Sequence, residues 1–172
     1  DGIHVTSGHN NIVEAIIFPI ICEDAITNGG AGFEAFGTVI RGCYFKDSVD
    51  KAVMLDNGGS CTVEHCEFHS TCQSVRGIGG DEALYTVRNC YFHGNSRAGD
   101  TGHGPRYTIN GPGNDPNFDG YSTIFENNIY TGDTKALLAN QETIYGCNIN
   151  IFVQNNLILS GSGGSNWMWR WG

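Results

Sequence analysis

A short repeat that occurs five times organises the chain. Each copy runs apolar, polar, a small or amide-type residue, Cys or Asn, and then a large apolar residue two places on. The copies are TVIRGCYFKDS (38–48), TVEHCEFHS (62–70), TVRNCYFHGNS (86–96), IFENNIYTGD (124–133) and FVQNNLILS (152–160). Self-similarity at intervals of a few tens of residues is typical of solenoids, in which each repeat forms one structural unit.

Aligning the repeats gives four columns, each with its own residue type. The first column is apolar and is predicted to face inward from a strand: Ile40, Val63, Val87, Phe125 and Val153. The second contains the residue types that best tolerate positive φ and predicts a left-handed bend: Gly42, His65, Asn89, Asn127 and Asn155. The last two are predicted to be interior ladders: Cys43, Cys66, Cys90, Asn128 and Asn156, followed by Phe45, Phe68, Phe92, Tyr130 and Ile158.

The spacing of the repeats predicts the fold class. The Cys/Asn positions 43, 66, 90, 128 and 156 lie 23, 24, 38 and 28 residues apart, which is too short for two helices and a strand in each unit. We therefore predict an all-β, single-domain right-handed parallel β-helix of six to seven coils over residues 1–172. The competing fold is an antiparallel sandwich, which gives no reason for the columns to keep their residue types.

Two segments depart from the regular coil. Residues 97–122 fall in the 38-residue interval, are rich in Gly, Pro and Asn, and are predicted to form a projecting loop insertion. Residues 161–172 form a Trp-rich C-terminal end, in which Trp167, Trp169 and Trp171 alternate with other residues. This end is interpreted as a hydrophobic cap or an interface, with sugar stacking as the alternative.

Composition narrows the function classes. A net charge of −9 opposes nonspecific binding to nucleic acid or to acidic membranes, and no apolar run reaches membrane-spanning length. Seven cysteines favour an oxidising compartment, so we expect a secreted, extracellular protein. The residues most suited to disulfides are those outside the Cys/Asn column: Cys22, Cys61, Cys72 and Cys147.

A second set of segments aligns further along each coil. They are DGIHV, DAIT, KAVML, QSVRG and KALLA, whose first residues are Asp1, Asp24, Lys51, Gln73 and Lys135. We expect these polar residues to stack on the outer face, with Glu23 beside Asp24 and with Arg76 three residues after Gln73. Carboxylates then lie low in the column and cations lie above them.

In these motifs the chain resembles the pectate lyases of polysaccharide lyase family three, which are compact parallel β-helices. The resemblance covers about residues 1–77. It implies calcium ligation by Asp1, Glu23 and Asp24, and a catalytic cleft containing Lys51 and Arg76. In such a site Ca²⁺ bridges protein carboxylates to an acidic polysaccharide and acidifies a ring C–H, and a neighbouring base removes that proton for β-elimination.

Two positions depart from the family's pattern. Gly29 and Gln73 stand where the family has lysines. The loss of two of four cations weakens both substrate binding and activation of the Lys51 amine. The sequence therefore favours a structural, self-associating protein, with a calcium-dependent pectate lyase and a non-catalytic carbohydrate-binding module as the alternatives.

A second calcium loop is predicted inside the insertion. The segment DPNFDGYSTIFE (115–126) satisfies the pattern D-x-[DN]-x-[DN]-G-x₅-E. The predicted ligands are Asp115, Asn117, Asp119, the Tyr121 carbonyl and a bidentate Glu126. Asp/Asn/Gly/Pro loops are also common for turn reasons alone. The predicted self-association uses the solenoid ends, because no capping helix is evident at either end.

Overall fold

The fold consists of strands alone in the part of the chain that the structure describes. A computed structural model describes residues 2–30, 35–56, 59–78, 83–94, 107–110, 120–132, 136–140, 148–160 and 167–170. The strands in chain order are β1 (Ile3–Val5), β2 (Gly8–His9), β3 (Ile12–Glu14), β4 (Ile17–Phe18), β5 (Ile26–Gly29), β6 (Ala35–Phe36), β7 (Thr38–Arg41), β8 (Tyr44–Lys46), β9 (Lys51–Asp56), β10 (Cys61–Glu64), β11 (Glu67–His69), β12 (Gln73–Ile78), β13 (Leu84–Arg88), β14 (Tyr91–His93), β15 (Tyr107–Asn110), β16 (Gly120–Glu126), β17 (Ile129–Gly132), β18 (Ala136–Asn140), β19 (Asn148–Gln154), β20 (Leu157–Ser160) and β21 (Trp167–Arg170). None of the described residues forms a helix that could cross a membrane.

Three long parallel sheets carry these strands. The first sheet has the order β1-β5-β9-β12-β15-β18-β21, the second β3-β7-β10-β13-β16-β19, and the third β4-β8-β11-β14-β17-β20, while β2 and β6 form a small fourth sheet. The chain passes from the first sheet to the second and third and then returns to the first, one strand further along. This path makes a parallel β-solenoid, and the all-β solenoid prediction is confirmed. We call the end with β1, β3 and β4 the lower end, and the end with β19, β20 and β21 the upper end.

The predicted inward columns are confirmed by the strand register. Val13 and Ile40 continue through Val63, Val87 and Phe125 to Val153 as neighbours in the second sheet. In the third sheet the rings of Phe18, Phe45, Phe68, Phe92 and Tyr130 stack, with successive centroids 5.2, 4.9, 4.7 and 4.8 Å apart. Each stacked pair contributes roughly 1 kcal/mol beyond the area that it buries. The hydrophobic core is therefore a set of continuous ladders that run along the solenoid.

The predicted bends are also confirmed. Gly42, His65, Asn89, Asn127 and Asn155 have φ values between 52° and 60°. Ala15 extends this column into the lowest coil with a φ of 56°. The backbone there adopts the left-handed conformation, which explains why Gly and Asn recur at this position.

The Cys/Asn column lies in the interior, as predicted. Cys43, Cys66 and Cys90 are each 2% exposed, and Asn128 is buried above them. The expected disulfides are wrong for Cys22, Cys61 and Cys72, which are free thiols. Cys61 illustrates the reason, because its neighbours in the sheet are Thr38 and Tyr85, so no cysteine adjoins it in register. Cys147 lies outside the described residues.

The predicted insertion is not a simple projecting loop. Its residues 107–110 form β15, which lies between β12 and β18 in the first sheet, and β16 begins at Gly120. This coil also shifts the register of the polar column, since Val75 aligns with Tyr107 and Tyr107 with Leu138. The position equivalent to Gln73 is consequently occupied by Ala136 and not by Lys135. The remainder of 97–122 lies outside the described residues.

Candidate functional site

The polar column of the first sheet brings Asp24, Lys51 and Gln73 together. Gln73 is the register partner of Lys51, and the Lys51 Nζ lies 3.3 Å from Asp24 Oδ1 one coil below. The side chains of Lys51 and Asp24 are only 12% and 14% exposed, and Gln73 is buried. The column therefore occupies the covered corner where the coil enters the first sheet, and not the open outer face that the sequence predicted.

Lys51 is held by two carboxylates. Its Nζ also lies 2.5 Å from Asp50 Oδ2, a second charge-assisted hydrogen bond. The protons of this ammonium thus face carboxylate oxygens of the protein. A general base must instead offer a neutral nitrogen to a substrate proton, so this arrangement is suited to a structural ion pair.

Burial raises the pKa of the Asp24 carboxyl above its ordinary value, and the nearby Lys51 ammonium partly opposes that increase. The carboxylates of Asp50 and Glu23 add to the rise because like charges disfavour ionisation. Glu23 is exposed, and Asp1 lies outside the described residues. A cation at Asp24 would have to compete with the Lys51 ammonium for the same oxygens.

Arg76 belongs to a different column. Its register neighbours are Met54 and Thr108, so it lies three residues further along the strand than the Gln73 position. Arg76 and His4 both lower the pKa of Asp56, which burial raises more strongly. His4 Nε2 also hydrogen-bonds the Gly29 carbonyl at 2.7 Å. The two predicted catalytic residues are thus part of two separate charged groups, Lys51 with Asp24 and Asp50, and Arg76 with Asp56 and His4.

Gly29 has a backbone that excludes the lysine of the resembling family. Its φ is 91°, and the following Gly30 has a φ of 137°. A side chain with a Cβ is strained in this region. The backbone conformation at this position therefore disfavours a lysine, which accounts for the absence of that cation.

The second predicted calcium loop stays a prediction. Asp115, Asn117 and Asp119 lie outside the described residues, whereas Tyr121 and Glu126 lie in the extended strand β16 (Gly120–Glu126). Six residue steps of an extended strand span roughly 20 Å, which separates Glu126 from the residues around Gly120. Glu126 accepts a hydrogen bond from Gln154 Nε2 at 2.7 Å.

Glu126 instead belongs to a charge ladder on the second sheet, which the sequence analysis missed. We call the outward column Glu14, Arg41, Glu64, Arg88, Glu126 and Gln154 the outer ladder. Arg41 Nε lies 2.5 Å from Glu14 Oε2, and Arg88 donates from Nε and Nη2 to Glu64 Oε2 at 2.9 and 2.8 Å. The signal was present, since these residues come directly before the bend column and alternate in charge.

The histidines of the third sheet form a surface stack. The rings of His69 and His93 are 4.4 Å apart and nearly parallel. Tyr44 Oη contacts His69 Nδ1 at 3.1 Å, and Glu67 Oε1 contacts His93 Nε2 at 2.8 Å. Because the ring faces cover one another, this stack presents mainly ring edges outward and is a poor platform for a sugar ring.

No group of three or more His, Cys, Asp or Glu side chains within the described ranges could hold a metal ion. Calcium at Asp1, Glu23 and Asp24 therefore stays a prediction. No protein-family model, curated protein or solved structure matches the chain. The resemblance to pectate lyases accordingly rests on the quoted motifs alone.

Proposed function

We propose that the chain is a structural, non-catalytic parallel β-helix that self-associates end to end. We further infer a right-handed helix with six complete coils and the first strand of a seventh. The order of the strands supports this count, because among the described residues the first sheet has seven strands and the second and third have six each. An extracellular location is part of the proposal, although the six described cysteines, all free thiols, add no support for it.

The observation that carries this proposal is the apolar upper end. Val153 and Ile158 continue the two inward columns, yet they are 42% and 41% exposed, whereas Val13 at the lower end is 8% exposed. Phe152, Leu157 and Leu159 beside them are at least half exposed. A contiguous apolar patch on the last strands of two sheets is typical of an interface, and edge strands can add a further strand by backbone hydrogen bonding.

The lower end matches the upper end column by column. A copy stacked above would place Ile12 on Phe152, Val13 on Val153 and Glu14 on Gln154, as the same register continues. In the third sheet Ile17 would meet Leu157, and Phe18 would meet Ile158. Apolar residues thus meet apolar residues, and the Gln154 amide meets the Glu14 carboxylate.

Sedimentation velocity over a concentration series tests this proposal. We expect the wild-type protein to associate as concentration rises, and Leu157→Lys to remain monomeric because it places a charge in the interface. Tyr91→Lys, at an exposed position of the same outward column in a middle coil, is the matched control and should associate like the wild type. A wild-type protein that stays monomeric at all concentrations, even after prolonged incubation, would refute self-association.

Pectate lyase activity is the second candidate function, because the strand register places the predicted base Lys51 one coil above the predicted calcium ligand Asp24. Incubation with polygalacturonate and calcium measures it through the absorbance of unsaturated uronide products. We expect no product, because Lys51 is occupied by two carboxylates and Gly29 cannot be replaced by lysine without strain. Product that Lys51→Ala abolishes would establish the lyase instead, and binding without product that Trp169→Ala weakens would favour the carbohydrate-binding alternative.

A further inference from the structure

The upper end is stepped, because the sheets do not stop at the same level. The first sheet continues past β18 with β21, whereas the second and third sheets stop at β19 and β20, which follow β18 along the chain. Trp167 aligns with Ala136, and Trp169 with Leu138. The step is one strand high, or about 4.8 Å.

β21 takes the place that an incoming copy needs. If β3 and β4 of a second copy stack on β19 and β20, the β1 of that copy comes to lie directly above β18. The register shows that this place is equivalent to that of β1, since the column of Ile3 continues through Ile26, Val53, Val75, Tyr107 and Leu138 to Trp169. One edge of β18 cannot pair with two strands at the same time.

We propose that β21 is an intramolecular gate on head-to-tail assembly, displaced from β18 by β1 of a second copy. This inference rests on the proposed self-association. It identifies β1 of the second copy as the partner strand, and β21 as the strand that limits access to β18. The exchange replaces one parallel strand pair with another, so its net free-energy change is small. Its rate is limited, however, because β21 must detach from β18 before β1 can pair there. Assembly of the wild-type chain is therefore slow, and weakening the β18–β21 pairing accelerates it.

Proline substitutions in the full-length chain weaken β21 selectively. Proline removes a backbone donor and is excluded from paired strand interiors. Successive residues of a strand direct their backbone donors to opposite edges, so Met168→Pro and Trp169→Pro are made separately, and one of them removes a hydrogen bond to β18. Trp169→Val is the matched control because it keeps β propensity.

Light scattering with electron microscopy measures the outcome at one protein concentration. We expect one proline variant to assemble at least about tenfold faster than the wild type and Trp169→Val. Adding Ile17→Lys at the lower end should abolish that assembly, and circular dichroism checks that each variant keeps its strand content. Equal assembly of wild-type and proline variants would overturn the gate while leaving self-association intact. Absence of assembly in all proteins would overturn both.

Discussion

Asn128 shows how one side chain can join three coils. Its Nδ2 donates to the Val87 carbonyl and to Asn156 Oδ1 at 3.0 Å, and its Oδ1 accepts from the Cys90 backbone N–H at 2.9 Å. Asn156 repeats the pattern by donating to the Phe125 carbonyl. Lower in the same column, Cys90 Sγ makes weaker thiol contacts with the Val63 carbonyl at 3.7 Å and the Arg88 carbonyl at 3.2 Å. The column therefore consists of small apolar side chains in the lower coils, where it contains Cys, and of hydrogen-bonded amides in the upper coils, where it contains Asn.

Asn128→Ala is expected to lower the free energy of unfolding by about 3 kcal/mol, since it leaves the buried Cys90 N–H and Val87 carbonyl without this partner. Asn128→Cys restores the residue type of the coils below and keeps a weak donor, so we expect a loss of about half that size. Urea denaturation measures both. Equal losses would contradict this expectation, because they would show that the cysteine thiol restores neither packing nor hydrogen bonding at this position.

Ala15 belongs to the bend column although alanine does not favour a positive φ. An L-residue with a Cβ costs roughly 1–2 kcal/mol at its φ of 56°. Ala15→Gly is therefore expected to raise the free energy of unfolding by about 1 kcal/mol, as measured by urea denaturation. Ala52→Gly, at a buried strand position, should instead lower it. Destabilisation by Ala15→Gly would show that the bend is not strained.

Residue type explains why sequence analysis found five members of the bend column and missed Ala15. Gly, Asn and His are over-represented at positive φ, so their recurrence before the Cys/Asn column was informative. Alanine has no such preference. Its conformation is imposed by the coil above, where Arg41 accepts a hydrogen bond at its carbonyl from the Ala15 N–H.

The second sheet shows how an element can hold charged residues on its surface. The outer ladder alternates acids and bases on neighbouring strands, and cross-strand pairs of opposite charge stabilise a sheet modestly. Arg88 donates two hydrogen bonds to one oxygen of Glu64, whose side chain is only 14% exposed, whereas both partners of the Glu14–Arg41 pair are about half exposed.

Double-mutant cycles to alanine should separate these two pairs. We expect a coupling energy of about 1 kcal/mol for Glu64 with Arg88, and about 0.3 kcal/mol for Glu14 with Arg41, because solvent screens the exposed pair. Both are measured as differences in the free energy of unfolding at low salt. A stronger coupling in the exposed pair would contradict the role given to burial.

Strand identity limited what the sequence could predict at this scale. YTIN (107–110) is short and stands among Gly and Pro residues, so it gave no strand signal, yet its neighbours β12 and β18 supply its hydrogen bonds. Conversely, Gly120–Glu126 matched a calcium loop although it is extended. In both cases pairing with adjacent coils outweighs the local pattern.

At the scale of the whole molecule, the repeat predicted the architecture but not the chemistry. Regular spacing of the repeats indicates which side chains stack on one another, and this was sufficient to predict the interior ladders. It contains no information on whether Lys51 faces a substrate or two carboxylates, because Asp50 contacts it from the same strand entry. The covered position of the polar column also follows from the path of the chain at the corner, which residue spacing does not specify.

Calcium stabilisation of the whole fold gives a further test. Because the Lys51 ammonium competes for the oxygens of Asp24 and Asp50, we expect added calcium to raise the Tm of Lys51→Met more than that of the wild-type protein. Asp24→Asn combined with Lys51→Met is the control and should lose the effect. Calorimetry on chelator-treated protein measures the binding directly. Equal or absent responses in wild type and Lys51→Met would contradict a cation site at Asp24.

The buried thiols have one more consequence, which concerns how the molecule comes apart. Cys43, Cys66 and Cys90 lie in three successive coils. The hydrogen bond with the neighbouring Cys66 thiol, together with burial, raises the pKa of Cys43 and keeps it protonated and unreactive. Each thiol can meet an alkylating reagent only when its own coil opens. The order in which the three thiols are alkylated would therefore show from which end the solenoid unfolds. The native cysteines thus serve as built-in probes of local unfolding along the solenoid.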